Sequence, residues 1–99
     1  MKHKFPSIRA LTHALKCEQK SLRRYCSKED LCDPYDRDSM PGTDLRLQVN
    51  GDAWFVHSGC SDYDQDHHGV WGATFLPWGR ANLSEIARDL LSQAKEGER

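Results

Sequence analysis

Apolar residues recur along this chain with two different periods, and the switch between them divides it into elements. From Ile8 the positions Leu11, Ala14 and Leu15 follow at three- and four-residue spacing, which puts them on one face of a helix. Ser7, after Pro6, is the expected N-cap, because its hydroxyl oxygen accepts from a first-turn amide. The helix is expected to run to about Lys16 to Lys20; Leu22 and Tyr25 continue its apolar face, while Ser21 offers a break. Ser27-Lys28-Glu29-Asp30 has the form of a capping box, but Asp33-Pro34 follows too soon for more than one further turn. Period two then takes over. Leu45-Arg46-Leu47-Gln48-Val49 alternates apolar and polar, and Ala53 to Ser58 follows across Asn50-Gly51-Asp52, so a β-hairpin with Asn-Gly at its turn is predicted. Val70 to Trp78, rich in aromatic and β-branched residues and ended by Pro77, predicts a third strand. Asn82-Leu83-Ser84-Glu85 opens a last helix, and Leu83, Ile86, Ala87, Leu90, Leu91 and Ala94 form its apolar stripe to about Lys95, with Gly97 as terminator.

The pattern predicts one α+β domain over residues 1–99: a basic helical region to residue 32, a loop over 33–44, an antiparallel sheet over 45–78 and a C-terminal helix over 82–96. The sheet is a hairpin plus a third strand, packed by the N-terminal and C-terminal helices. A meander, with the third strand returning beside the second, is the simplest connection. Leu45, Leu47 and Val49 share a face; either Trp54 with Val56 or Phe55 with His57 joins them, and the sequence leaves that register open.

Composition narrows the class. With 37% hydrophobic and 29% charged residues, and three each of Trp, Phe and Tyr, 99 residues can bury one modest core and carry about one site. No apolar run approaches the ~20 residues of a membrane span, and Met1 to Pro6 lacks the apolar segment of a secretory signal, so a soluble cytoplasmic protein is expected. Cys17, Cys26, Cys32 and Cys60 match no zinc spacing and are expected to be reduced, small, partly buried residues. The net charge of −1 conceals a split, with +7 over residues 1–28 and −8 over residues 29–99. Such a split marks a face that meets a polyanion, or two halves that attract each other in the fold.

Between the second and third strands stands the densest group of reactive side chains, Cys60-Ser61-Asp62-Tyr63-Asp64-Gln65-Asp66-His67-His68-Gly69, framed by Trp54 and Trp71. Asp62, Asp64 and Asp66 match the first three ligand positions of a calcium loop, but His67 stands where its glycine belongs and Ala73 where its bidentate glutamate belongs. Cys60, Asp64, Asp66, His67 and His68 offer the mixed donor set that zinc accepts, although adjacent histidines on an extended chain point apart. His57, His67 or His68 beside an aspartate would supply a general base, and Cys60 a nucleophile, yet no oxyanion-hole or phosphate-binding motif accompanies them. The competing reading is a hydrogen-bonded connection of successive Asx turns, an anionic, aromatic-flanked surface. On that reading Asp62, Tyr63, Asp64, Asp66, His67, His68 and Trp71 form a surface for a protein partner, with no cofactor.

The basic N-terminal region offers a second surface. Lys16, Lys20, Arg23 and Arg24, with Tyr25 beside them, are suited to phosphate contacts and base stacking, though the solvated side of any amphipathic helix has the same composition. No helix-turn-helix, zinc-finger or RNA-recognition signature is present.

The stretch containing Trp54, His57-Ser58-Gly59, Asp62 to Gly69 and Trp71-Gly72 resembles a pattern in short bacterial proteins from phage- and plasmid-like regions. The likeness extends into Ala87-Arg88-Asp89-Leu90-Leu91 and leaves the basic N-terminal region outside it. It implies an accessory protein of a bacterium or its mobile elements and carries no activity over to any residue. The expectation is a non-enzymatic interaction protein that binds a protein partner through the acidic loop. A nucleic-acid-associated regulator using the basic helix is the alternative, and a metal-dependent enzyme or metal-binding protein comes third.

Overall fold

The computed structural model describes residues 3–29, 42–58 and 69–98. Its elements are α1 (Ile8–Glu29), β1 (Gly42–Asn50), β2 (Ala53–Ser58), β3 (Val70–Pro77) and α2 (Leu83–Gly97). The fold is α+β, with a three-stranded antiparallel sheet and both helices packed on one of its faces. Among the described residues no helix is long and apolar enough to cross a membrane.

Helix α1 starts where the sequence places it: Ser7 Oγ accepts from Ala10 N at 3.1 Å. It does not break at Ser21 but continues for 22 residues. Neither Gly nor Pro interrupts the chain from Ile8 to Glu29, and a single serine costs a helix only a few tenths of a kcal/mol, ~0.5. Leu11 and Leu15 are fully buried, and Ile8 and Leu22 pack against the same core. Helix α2 is capped by Asn82, whose side chain accepts from Glu85 N, and it buries Ala87, Leu90, Leu91 and Ala94. It includes Gly97, which the sequence suggested as the residue beyond its end.

Strand β1 begins at Gly42, inside the stretch whose composition suggested a loop to Asp44. The hairpin to β2 is present, with Asn50 paired to Ala53, so Gly51 and Asp52 are its two turn residues. Gly51 takes a φ of 61°, the positive value that the first central position of a two-residue hairpin requires. The turn is therefore centred one residue later than an Asn-Gly pair would be. The N-terminal segment ties it down: Lys4 N donates to Gly51 O at 2.7 Å, and Gly51 N donates to His3 Nδ1 at 2.9 Å.

The expected meander is not formed. Strand order is β2-β1-β3, with β3 antiparallel to β1 and therefore parallel to β2. Eleven residues separate Ser58 from Val70, far more than a hairpin loop uses and close to the length that a connection between parallel strands needs. The central place of β1 follows from its residues, since Leu45, Leu47 and Val49 are fully buried. Register settles the open alternative on β2: Trp54 pairs with Val49 and Val56 with Leu47, so these two face the helices.

Helix α2 approaches β3 closely at Gly72. A Cβ on Gly72 would collide with the Leu90 carbonyl oxygen and lie 3.2 Å from Gln93 Cβ. Gln93 holds the helix there from outside the sheet: its Oε1 accepts from Ala73 N at 3.0 Å and its Nε2 donates to Ala73 O at 2.8 Å.

Candidate functional site

Strand alternation leaves the second face of the sheet to Asp44, Arg46 and Gln48 of β1, Phe55 and His57 of β2, and Trp71, Ala73 and Phe75 of β3. No described helix covers this face. Gln48 lies between Phe55 and Trp71 in the pairing, and Arg46 between His57 and Ala73. Phe55, 51% exposed, and Phe75, 40% exposed, are the large hydrophobic side chains left open to solvent among the described residues.

The centre of the face is covered by its own side chains. Trp71 and His57 sit on the two outer strands, about 10 Å apart by strand spacing. Their ring centroids are nevertheless only 5.6 Å apart, because the side chains lean toward each other across β1. The His57 ring is also 6.2 Å from that of Phe55, its neighbour on the same face of β2, so His57 touches one ring along its own strand and one across the sheet. Gln48 is only 8% exposed beneath them and accepts through Oε1 from His57 Nε2 at 2.9 Å. That bond requires the proton of the imidazole on Nε2. The Nε1 of Trp71 is buried and has no hydrogen-bond partner among the described residues. Beside these rings, the small side chain of Ala73 leaves a depression of about 440 Å³ lined by Asp44, Arg46, Thr74 and Phe75.

A second surface runs along α1. Arg9, His13, Lys16, Lys20 and Arg24 are exposed and recur at three- and four-residue spacing, so they form one cationic stripe. The stripe lies on a helix of 22 residues, which is about 33 Å long. Its first half borders α2: Arg9, His13 and Lys16 line a groove with Ser84, in the first turn of that helix. Cys17, a free thiol, is exposed nearby with its Sγ 3.7 Å from His13 Nε2.

These two surfaces bring together only part of what the sequence singled out. Trp71 lies at the middle of the helix-free face, and Lys16, Lys20 and Arg24 lie on the stripe. Arg23 is on α1, with its side chain outside the description. Cys60, Asp62, Tyr63, Asp64, Asp66, His67 and His68 all lie outside the described residues, in the segment that joins Ser58 to Gly69. Among the described residues no three His, Cys, Asp or Glu side chains converge as a metal site. Phe55, Phe75, Arg46, Gln48 and Ala73 were not singled out from sequence, although period two would have linked Trp71 to Ala73 and Phe75 once Leu76 was assigned to the core. Comparison with family models, curated proteins and solved structures finds no match to this chain.

Proposed function

We propose that this chain is a small non-enzymatic interaction protein of the bacterial cytoplasm, belonging to a bacterium or its mobile elements, that binds a protein partner on the helix-free sheet face. The observation that carries this reading is the placement of both exposed phenylalanines, Phe55 and Phe75, on that face around the Trp71–His57 pair. Exposed aromatic groups on a rigid sheet, with one arginine among them, have the composition of an interface core rather than of a solvated surface. The acidic run Asp62, Asp64 and Asp66 lies between β2 and β3 in sequence, outside the described residues, and on this reading its negative charge also contributes to partner binding. The origin rests on the sequence resemblance alone.

Affinity capture from a bacterial host tests the reading with two double variants. Phe55→Ser with Phe75→Ser is expected to remove the partner, and Asp64→Ala with Asp66→Ala to weaken its retention by about tenfold or more. The same partners retained at wild-type yield by both variants would reject this function.

The cationic stripe favours a second reading, a nucleic-acid-associated regulator that lays α1 along a phosphate backbone. Reversal of charge at Lys16, Lys20 and Arg24 is expected to abolish binding to a labelled duplex at low salt. The wild-type affinity should fall as salt rises, with a logarithmic slope of about −3 if three phosphates are neutralised. Undetectable wild-type binding at low salt would dismiss this reading.

A further inference from the structure

The two edges of the sheet are treated differently. Because Asn50 and Ala53 close a two-residue hairpin, the backbone groups of Ala53, Phe55 and His57 bond to β1, and those of Trp54, Val56 and Ser58 point away from the sheet. On the opposite side of β1 the same alternation turns the groups of Trp71, Ala73, Phe75 and Pro77 outward from β3. That second edge is blunted. Gln93 bonds both the N–H and the C=O of Ala73, Pro77 has no N–H to offer, and Gln19 Nε2 donates to Pro77 O at 2.6 Å. Helix side chains thus occupy the places where another strand would add.

No described residue does the same for β2. Ser58 Oγ donates to Glu18, but no described residue bonds the outward N–H and C=O groups of Trp54, Val56 and Ser58. The strand Ala53-Trp54-Phe55-Val56-His57-Ser58 also lacks the lysine, proline or bulge with which proteins protect an edge.

We propose that β2 is the seam of a homodimer in which two copies of this chain pair their β2 strands antiparallel and continue the sheet to six strands. Self-complementarity singles out the second copy as the occupant. A two-fold axis at Val56 sets Val56 opposite Val56 of the second copy and Trp54 opposite its Ser58. These three outward residues then exchange six backbone hydrogen bonds and leave none of their outward groups unpaired. An axis at Phe55 would leave Ser58 beyond the paired stretch and make fewer bonds. The same axis keeps the helices of both copies on one side of the joined sheet. On the other side it places Phe55 of each copy against His57 of the other, a pair whose rings already pack within one chain. The strand carries no carboxylate, lysine or arginine, so self-pairing sets no fixed like charges opposite each other. Six residues per copy make a seam smaller than a standard interface, so association is concentration-dependent, with a Kd of roughly 1–100 µM.

Sedimentation equilibrium of the full chain tests this from about 1 to 500 µM, a range that spans that dissociation constant. The mass is expected to rise from one copy to two. Val56→Pro removes the central donor while proline remains tolerable on an edge strand, and is expected to hold the protein monomeric with its circular dichroism spectrum retained. Ser58→Pro, at the exposed end of the strand, removes two of the six bonds and is expected to weaken dimerisation by about tenfold or more, which keeps the test decisive if Val56→Pro fails to fold. A wild-type chain that stays monomeric throughout overturns the proposal. So does a dimer that the folded proline variants leave as tight as before, because it would then be built on another surface.

Discussion

Gly72→Val is expected to destabilise the protein by about 3 kcal/mol or more, a large fraction of the ordinary stability of a small domain. The reason is the place of Gly72 in the sheet. It pairs with Leu47 on the face that meets the helices, and α2 crosses so close that any Cβ would strike the carbonyl oxygen of Leu90. Backbone cannot rotate aside as a side-chain end can, so relief requires α2 to move off β3. That movement would also break the two bonds between Gln93 and Ala73, and would separate Leu90 and Ala94 from Leu45, Leu47 and Val49. Urea denaturation measures the cost, as a lower midpoint or a spectrum already unfolded in buffer. Gly79→Ala is the control, because a Cβ at Gly79 meets nothing within 4 Å. Its stability is expected to stay within about 0.5 kcal/mol of wild type. Equal loss in both variants would show that close packing of α2 on β3 is not what Gly72 provides.

Local patterns carried most of the elements and little of their arrangement. Ser7 and Asn82 cap helices because both are short-range acceptors placed just before an apolar periodicity, and such contacts lie within a few residues of one another. Hairpin pairing was legible for the same reason. Strand order was not, because β1 pairs with β3 across nineteen intervening residues, and alternation alone scores a β2 neighbour as highly as a β1 neighbour. The length of the Ser58 to Val70 connection was the available signal, since a meander would have needed only a few residues. The continuity of α1 through Ser21 shows a different limit: propensity differences below 1 kcal/mol yield to tertiary packing, here that of Leu22 on the core.

The candidate surfaces were legible to a similar degree. Trp71 was singled out for flanking an acidic run, but its place in the structure depends on parity, which sets it with Ala73 and Phe75 on the face that Leu76 does not share. Phe55 could not be assigned before the register was known, because a one-residue shift exchanges it with Trp54 between core and surface. Lys16, Lys20 and Arg24 could be found from helical spacing alone, whereas Arg9 and His13 join them only because α1 presents a single uninterrupted exposed side. Gln93 and Gln19 gave no sequence signal: a glutamine that caps a strand edge looks like any polar residue on a helix.

Leu47→Ala is expected to cost about 3 kcal/mol, whereas Arg46→Ala, one residue away, is expected to cost about 1 kcal/mol or less. Leu47 is fully buried at the middle of the central strand, paired with Val56 on one side and Gly72 on the other. Removing its side chain leaves a cavity that the glycine opposite cannot fill, beneath α2, which the Ala73–Gln93 bonds hold in position. Arg46 projects from the other face, where it is half-buried beside His57 and Ala73 and where water can take the place of what is removed. Chemical denaturation of the two variants reads the difference directly, and equal costs would mean that the helix-free face is as tightly packed as the core. Such a division of energies would also decide how the partner experiment is interpreted. A face that contributes little to folding can lose Phe55 and Phe75 and still leave the sheet intact, so a lost partner would then report on recognition rather than on unfolding.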